Sequence, residues 1–166
     1  MADAFCSNTE AENEKEQVRS LTAPEGRAQS GELTYTGGCH CQAVRFECQA
    51  PSVLECWDCN CSICRMKQNT HFMVPEEKFT LQQGEGKLTT YTFNTGVAKH
   101  TFCQVCGIQA FYRPRSNPDC VAVTLYCLDN PPSTECVVIH RFDGENWEQS
   151  FTDSKLKGLH QEDDDG

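Results

Sequence analysis

With 166 residues the chain has room for one hydrophobic core and gains little by dividing into two. A formal net charge of −10 excludes the broad basic footprint of a nucleic-acid binder and disfavours anionic membranes. Thirteen cysteines, about 8% of the chain, approach the density of a secreted disulfide scaffold, but the count is odd. The opening thirty residues, with Glu10, Glu12, Glu14, Lys15, Glu16 and Arg19, contain no apolar run fit for a signal peptide or membrane span. The expectation is a cytoplasmic protein, with nuclear residence also allowed, whose reduced thiols bind metal or do chemistry.

Residues 1–30 are poor in large apolar side chains and read as a disordered acidic arm, 6 acidic residues standing against 3 basic. The domain is expected over 31–152. Leu33 and Tyr35 open it as a short strand running into the Gly37-Gly38 turn, and Val44, Phe46 and Cys48 alternate onto one face of the next. Further β-rich runs occupy Val53–Trp57, His71–Val74, Phe79–Gln82, Leu88–Phe93, Lys99–Phe102, Ile108–Tyr112, Val121–Tyr126 and Val137–Phe142. Gly84-Glu85-Gly86, Asn94-Thr95-Gly96, Pro114–Pro118, Asn130–Ser133 and Asp143-Gly144 punctuate them as turns. Short helices are expected only at Ser62–Gln68 and Asn146–Phe151. The fold class is mainly β, small and antiparallel, and 153–166 is an acidic tail that ends in Glu162-Asp163-Asp164-Asp165.

Seven thiols fall in three groups: Cys39-x-Cys41, Cys59-x-Cys61-x-x-Cys64 and Cys103-x-x-Cys106. A structural zinc takes four ligands, whereas a catalytic zinc keeps three and one open position. The outer groups together supply four (Cys39, Cys41, Cys103, Cys106) and would staple distant parts of a sheet. The central group supplies three, with Cys56 as a possible fourth. On one extended strand Cys56 and Cys59 face opposite sides, unless a turn at Asp58 reverses this. Other partitions satisfy the same count, such as one metal held by Cys59, Cys64, Cys103 and Cys106, and every zinc being structural is a competing reading.

The segments Gly37-Gly38-Cys39-His40-Cys41-Gln42-Ala43-Val44-Arg45-Phe46, Cys59-Asn60-Cys61-Ser62-Ile63-Cys64-Arg65, Phe102-Cys103-Gln104-Val105-Cys106-Gly107 and Pro114-Arg115-Ser116-Asn117-Pro118 resemble the glutathione-dependent formaldehyde-activating (GFA) family. Its animal branch includes centromere protein V (CENP-V), to which Lys67-Gln68-Asn69 and Tyr91-Thr92-Phe93-Asn94-Thr95 are most similar. The resemblance covers about residues 32 to 152. It implies an Mss4-like β fold with two Zn²⁺ per chain, the structural one on Cys39, Cys41, Cys103 and Cys106 and the catalytic one on Cys59, Cys61 and Cys64. The implied activity is that of S-(hydroxymethyl)glutathione synthase, a carbon–sulfur lyase acting on adducts of glutathione, or another small thiol, with formaldehyde or another aldehyde. The alternative is a non-catalytic zinc-stabilised interaction module associated with cytoskeleton or chromatin. The partners expected of the enzyme are a small thiol and an aldehyde, without direct nucleic-acid or membrane contact.

Arg65, Lys67, Arg113 and Arg115 are candidate contacts for the glutathione carboxylates, Arg115 standing within a matched motif. His71, the nearest downstream histidine, is a candidate proton shuttle, although a hydrogen-bonded structural role competes. Cys48, Cys120, Cys127 and Cys136 read as small core residues.

Overall fold

The computed structural model describes residues 31–154. The expected arm, Cys6 within it, and all but the first two residues of the expected tail lie outside the described residues.

Strand β1 (Glu32–Gly38) pairs antiparallel with β2 (Arg45–Pro51), placing Tyr35 opposite Cys48. The burial of Val44, Phe46 and Cys48, all at 1% exposure or less, follows the alternation in the sequence. Three strands form one leaf of the fold once β5 (Phe79–Gln83) joins the free edge of β2. The larger leaf contains β3 (Leu54–Cys59), β4 (Thr70–Pro75), β8 (Phe111–Tyr112), β9 (Cys120–Thr124) and β10 (Val137–Phe142), in the order β10-β3-β4-β9-β8. A separate ribbon pairs β6 (Leu88–Tyr91) with β7 (His100–Cys103). The helices are short: α1 spans Ser62–Lys67 and α2 spans Trp147–Asp153.

The sheets are antiparallel except at β10, which runs parallel to β3. That pairing is open to β10 because it returns after a long crossover, which a hairpin could not provide. All five residues of β9 are buried, as befits an inner strand covered on both faces.

The core fills the space enclosed by the two leaves. Phe46, Phe79 and Phe111 form a ring cluster with centroids 4.9–5.9 Å apart, and Leu54, Cys56, Phe72, Val74, Val121 and Val123 pack with it. The pleat of β3 then decides what becomes of its thiols. Leu54 and Cys56 belong to this core, while Trp57 and Cys59 join a second cluster with Phe142, Trp147 and Phe151. No turn at Asp58 reverses the alternation, since Asp58 is paired with Thr70 inside the strand.

Candidate metal centres and adjoining cleft

The thiols of Cys39, Cys41, Cys103 and Cys106 lie within 4.8 Å of one another, and those of Cys59, Cys61 and Cys64 form a second such group. Mixed sharing of Cys59 and Cys64 with Cys103 and Cys106 is thereby overturned. No disulfide links the described cysteines.

The first group joins two turns. After β1, Gln42 takes a left-handed φ of 64° and the Val44 N–H donates to Cys39 Sγ at 3.3 Å. After β7, Gly107 takes φ 77° and its N–H donates to the Cys103 carbonyl at 2.8 Å, while the Val105 N–H donates to Cys103 Sγ at 3.4 Å. A non-glycine residue would meet backbone strain at that φ. Sulfur–sulfur separations are 3.6 Å for Cys39–Cys41 and 3.7 Å for Cys41–Cys103. A tetrahedron with metal–sulfur bonds of about 2.3 Å has edges of about 3.8 Å, so this donor set fits Zn²⁺. The N–H groups of Cys41 and Ile108 bring the Cys106 thiol down to about 6, toward the thiolate that a metal requires.

The second group is assembled from the end of β3 and the start of α1. Cys61 is the residue before the helix, and its thiolate is favoured by S–H donation from Cys59 and Cys64, then by the N–H groups of Cys64 and Ile63. Cys59 and Cys64 shift upward in return, through the hydrogen bonds within the group. Soft thiolate donors at this spacing suit zinc as well. Cys56 is not part of the group: it is fully buried in the core, and burial pushes its thiol up to about 12. The possible fourth ligand is therefore turned away from the other three.

The turn after β10 closes over this group. A Cβ at Gly144 would stand 2.5 Å from Cys59 Sγ and 2.7 Å from the Cys61 Cβ, so only glycine fits. Asp143 holds the turn by accepting from the Asn146 amide at 2.8 Å, the Asn60 amide at 3.1 Å and the Glu145 N–H at 3.2 Å, and these donors, Asn146 first, keep its carboxyl below the usual carboxylate range. Asn60 Oδ1 accepts from the same Glu145 N–H at 3.1 Å. Neither Gly144 nor Asp143 carried any sequence signal beyond that of a turn. Their closeness to thiols 80 residues earlier depends on the parallel β3–β10 pairing.

Beside the three thiols opens a cleft of about 810 Å³, whose walls include Cys59, Cys64, Arg65, Tyr126 and Arg141. Arg65 is exposed on it, and Arg141 is a cleft residue that the motifs did not point to. Lys67 is half-buried on the other side of Gln68, donating to Gln109 Oε1 at 2.7 Å and lying 5.2 Å from the centroid of the Phe102 ring. Arg113 is ion-paired with Glu76. Arg115 is stacked 3.4 Å above the Trp147 ring and lies 3.1 Å from Glu148 Oε1, which pins α2 to the loop before β9. Arg113 and Arg115 line neither of the two clefts that flank α1. His71 lies 3.1 Å from the Tyr112 hydroxyl and 3.3 Å from the Asn69 amide, 3% exposed, and burial lowers its pKa to about 4. His40 is exposed beside the four-cysteine group.

Sheets of this order carrying one four-thiol and one three-thiol cluster describe a small, mainly β protein with two cysteine groups that could hold metal ions. Residues 34–144 match the family model described as "Glutathione-dependent formaldehyde-activating enzyme", and the chain belongs to that family. It is also similar to a protein of Rhodobacter sphaeroides whose crystal structure is known, with 30% identity and a TM-score of 0.58, over 64% of this chain and 98% of that one.

Proposed function

We propose that the protein is a zinc-dependent carbon–sulfur lyase that makes or breaks the adduct of a small thiol, glutathione first among them, with formaldehyde or a related aldehyde. The observation that carries this reading is the position of Cys56: with that thiol in the core, the cluster on the cleft has three cysteines and no fourth among the described residues. Zinc held there would supply a coordination position at which an incoming thiol is kept as thiolate. Everything else in the reaction falls to the chain. Addition forms a bond from sulfur to the carbonyl carbon, moves the π pair to oxygen, and transfers the thiol proton by way of solvent to that oxygen. Cleavage reverses each of these movements.

Gly144 and the Asn60–Asp143 bonds fix the spacing of the thiols, Asn60 and Asp143 themselves standing in the wall of the cleft by which the substrate approaches. His71 serves in this reading as a positioning residue. Both its ring nitrogens are engaged, and a ring titrating near 4 is neutral at neutral pH and a weak base for taking up a second proton. The four-cysteine centre is structural. Exchange of label between formaldehyde and S-(hydroxymethyl)glutathione, followed by NMR on zinc-loaded protein, tests the proposal. Cys61→Ser should reduce catalysed exchange at least 100-fold while the far-ultraviolet spectrum stays that of the parent. Exchange no faster with the parent than in buffer would refute the enzyme and favour an interaction module.

A further inference from the structure

A second cleft, of about 560 Å³, is lined by none of Cys59, Cys61 and Cys64. Lys67 and Gln68 at the end of α1 form one wall, and Ile108 after β7 and Tyr126 on the 3-10 turn at Leu125–Cys127 form others. Beneath them the lining is polar and buried. Asn69, Gln109 and Thr124 are each no more than 9% exposed. The Thr124 hydroxyl stands 2.9 Å from Asn69 Oδ1 and 2.8 Å from the Gln109 carbonyl, and the Asn69 amide meets His71 Nδ1 at 3.3 Å. These bonds hold the floor in one arrangement. The lip is apolar and open, with Ile108 and Tyr126 both exposed. Fixed polar groups under an apolar mouth are the make-up of a small-molecule site.

The two clefts differ in charge. The one beside the three thiols is balanced, Arg65 and Arg141 standing with Asp58 and Asp143. In the second, Arg45 and Lys67 stand with Asp129 alone, and Asp129 is ion-paired with Arg45. Lys67 takes part in no ion pair among the described residues. Its half-buried ammonium donates to the neutral Gln109 Oε1 at 2.7 Å and lies 5.2 Å from the centroid of the Phe102 ring. The negative charge that acts on it from within the chain is that of Cys64, one helical turn back and outside this cleft. In a chain of net charge −10 this is a local excess of positive charge, and withdrawing an ammonium from water is costly unless an anion joins it.

We infer that the second cleft is a small-molecule site of its own, separate from the sulfur centre, and that it takes a monocarboxylate with a short apolar body. The carboxylate accepts from the Lys67 ammonium beside Gln109, and the body lies against Ile108 and Tyr126. One uncommitted cation matches one negative charge, which selects a carboxylate over a phosphate dianion. The ligand needs no thiol, since the three-thiol group does not face this cleft, and the site stands whether or not the protein is an enzyme.

Two-dimensional ¹H–¹⁵N NMR on the zinc-loaded protein tests the inference, with hexanoate and the uncharged hexanamide as probes. Hexanoate should shift the side-chain amides of Gln109 and Asn69 to saturation and leave that of Asn60, in the other cleft, in place. Hexanamide should bind about tenfold more weakly, the loss expected for one charge-assisted hydrogen bond. Lys67→Met, checked for zinc content and thermal midpoint, should weaken hexanoate by the same factor and leave hexanamide unchanged. If that variant loses zinc, the preference of the parent for hexanoate over hexanamide decides. Equal binding of the two probes, or shifts at Asn60 instead of Gln109 and Asn69, would overturn the inference. Displacement of hexanoate by glutathione from Cys61→Ser protein would overturn it too, by showing that the cleft holds an arm of the thiol. None of these results bears on thiol–aldehyde exchange.

Discussion

Gly144 sets how closely the turn after β10 approaches the three thiols, and it does so by lacking a side chain. Since a Cβ there would fall 2.5 Å from Cys59 Sγ, Gly144→Ala must push the sulfur or the turn aside. The expected result is a protein that retains one zinc and loses the other, read as metal per chain by mass spectrometry. Two zincs in the variant would show that the contact is slack. His71 makes a different kind of prediction. Its pKa is depressed from 6.5 to about 4 by burial, so between these values the unfolded chain binds a proton that the native one refuses. Its contribution to stability is thus complete above pH 6.5 and lost as pH falls toward 4. In NMR titrations the His71 ring should stay neutral down to pH 5, and a midpoint near 6.5 would contradict the buried Tyr112–His71–Asn69 arrangement.

Among the elements, the β6–β7 ribbon meets the β1–β2 hairpin through sulfur, Cys103 meeting Cys41 across 62 residues of sequence. Structural zinc sites in small domains contribute on the order of 10 kcal/mol, comparable to the whole stability of such a domain. Cys103→Ser should therefore abolish the cooperative unfolding transition seen by circular dichroism, whereas Cys61→Ser should keep one. Equal behaviour of the two variants would mean that both centres share one role. The strands themselves were legible, because Val44-x-Phe46-x-Cys48 and its counterparts alternate with period two. Their ends were less so. The run through Val121–Tyr126 stops as strand at Thr124, where the 3-10 turn leaves Tyr126 facing solvent. A side chain that faces solvent from a 3-10 turn has no periodicity to betray it.

At the scale of the molecule, the thiol pairs and the triplet could be read from spacing because each is local in sequence, and alternation along β3 placed Cys56 and Cys59 on opposite faces. What surrounds the ligands could not be read. Arg141, Asp143 and Gly144 reach the centre through the parallel β3–β10 pairing, and sequence patterns carry no information about which strand a long crossover returns to. Arg115, singled out by its motif, is instead stacked on Trp147 and paired with Glu148, where it secures α2.

A cluster of three thiols that accepts a fourth from outside the chain is the centre of the proposed chemistry. X-ray absorption at the zinc edge, on protein with both sites loaded, measures this directly. Four sulfurs are predicted around one zinc and three sulfurs with one lighter donor around the other, and glutathione should convert the lighter donor to sulfur at the second site alone. Eight sulfurs shared between two zincs before any thiol is added, or a spectrum that glutathione leaves unchanged, would contradict it.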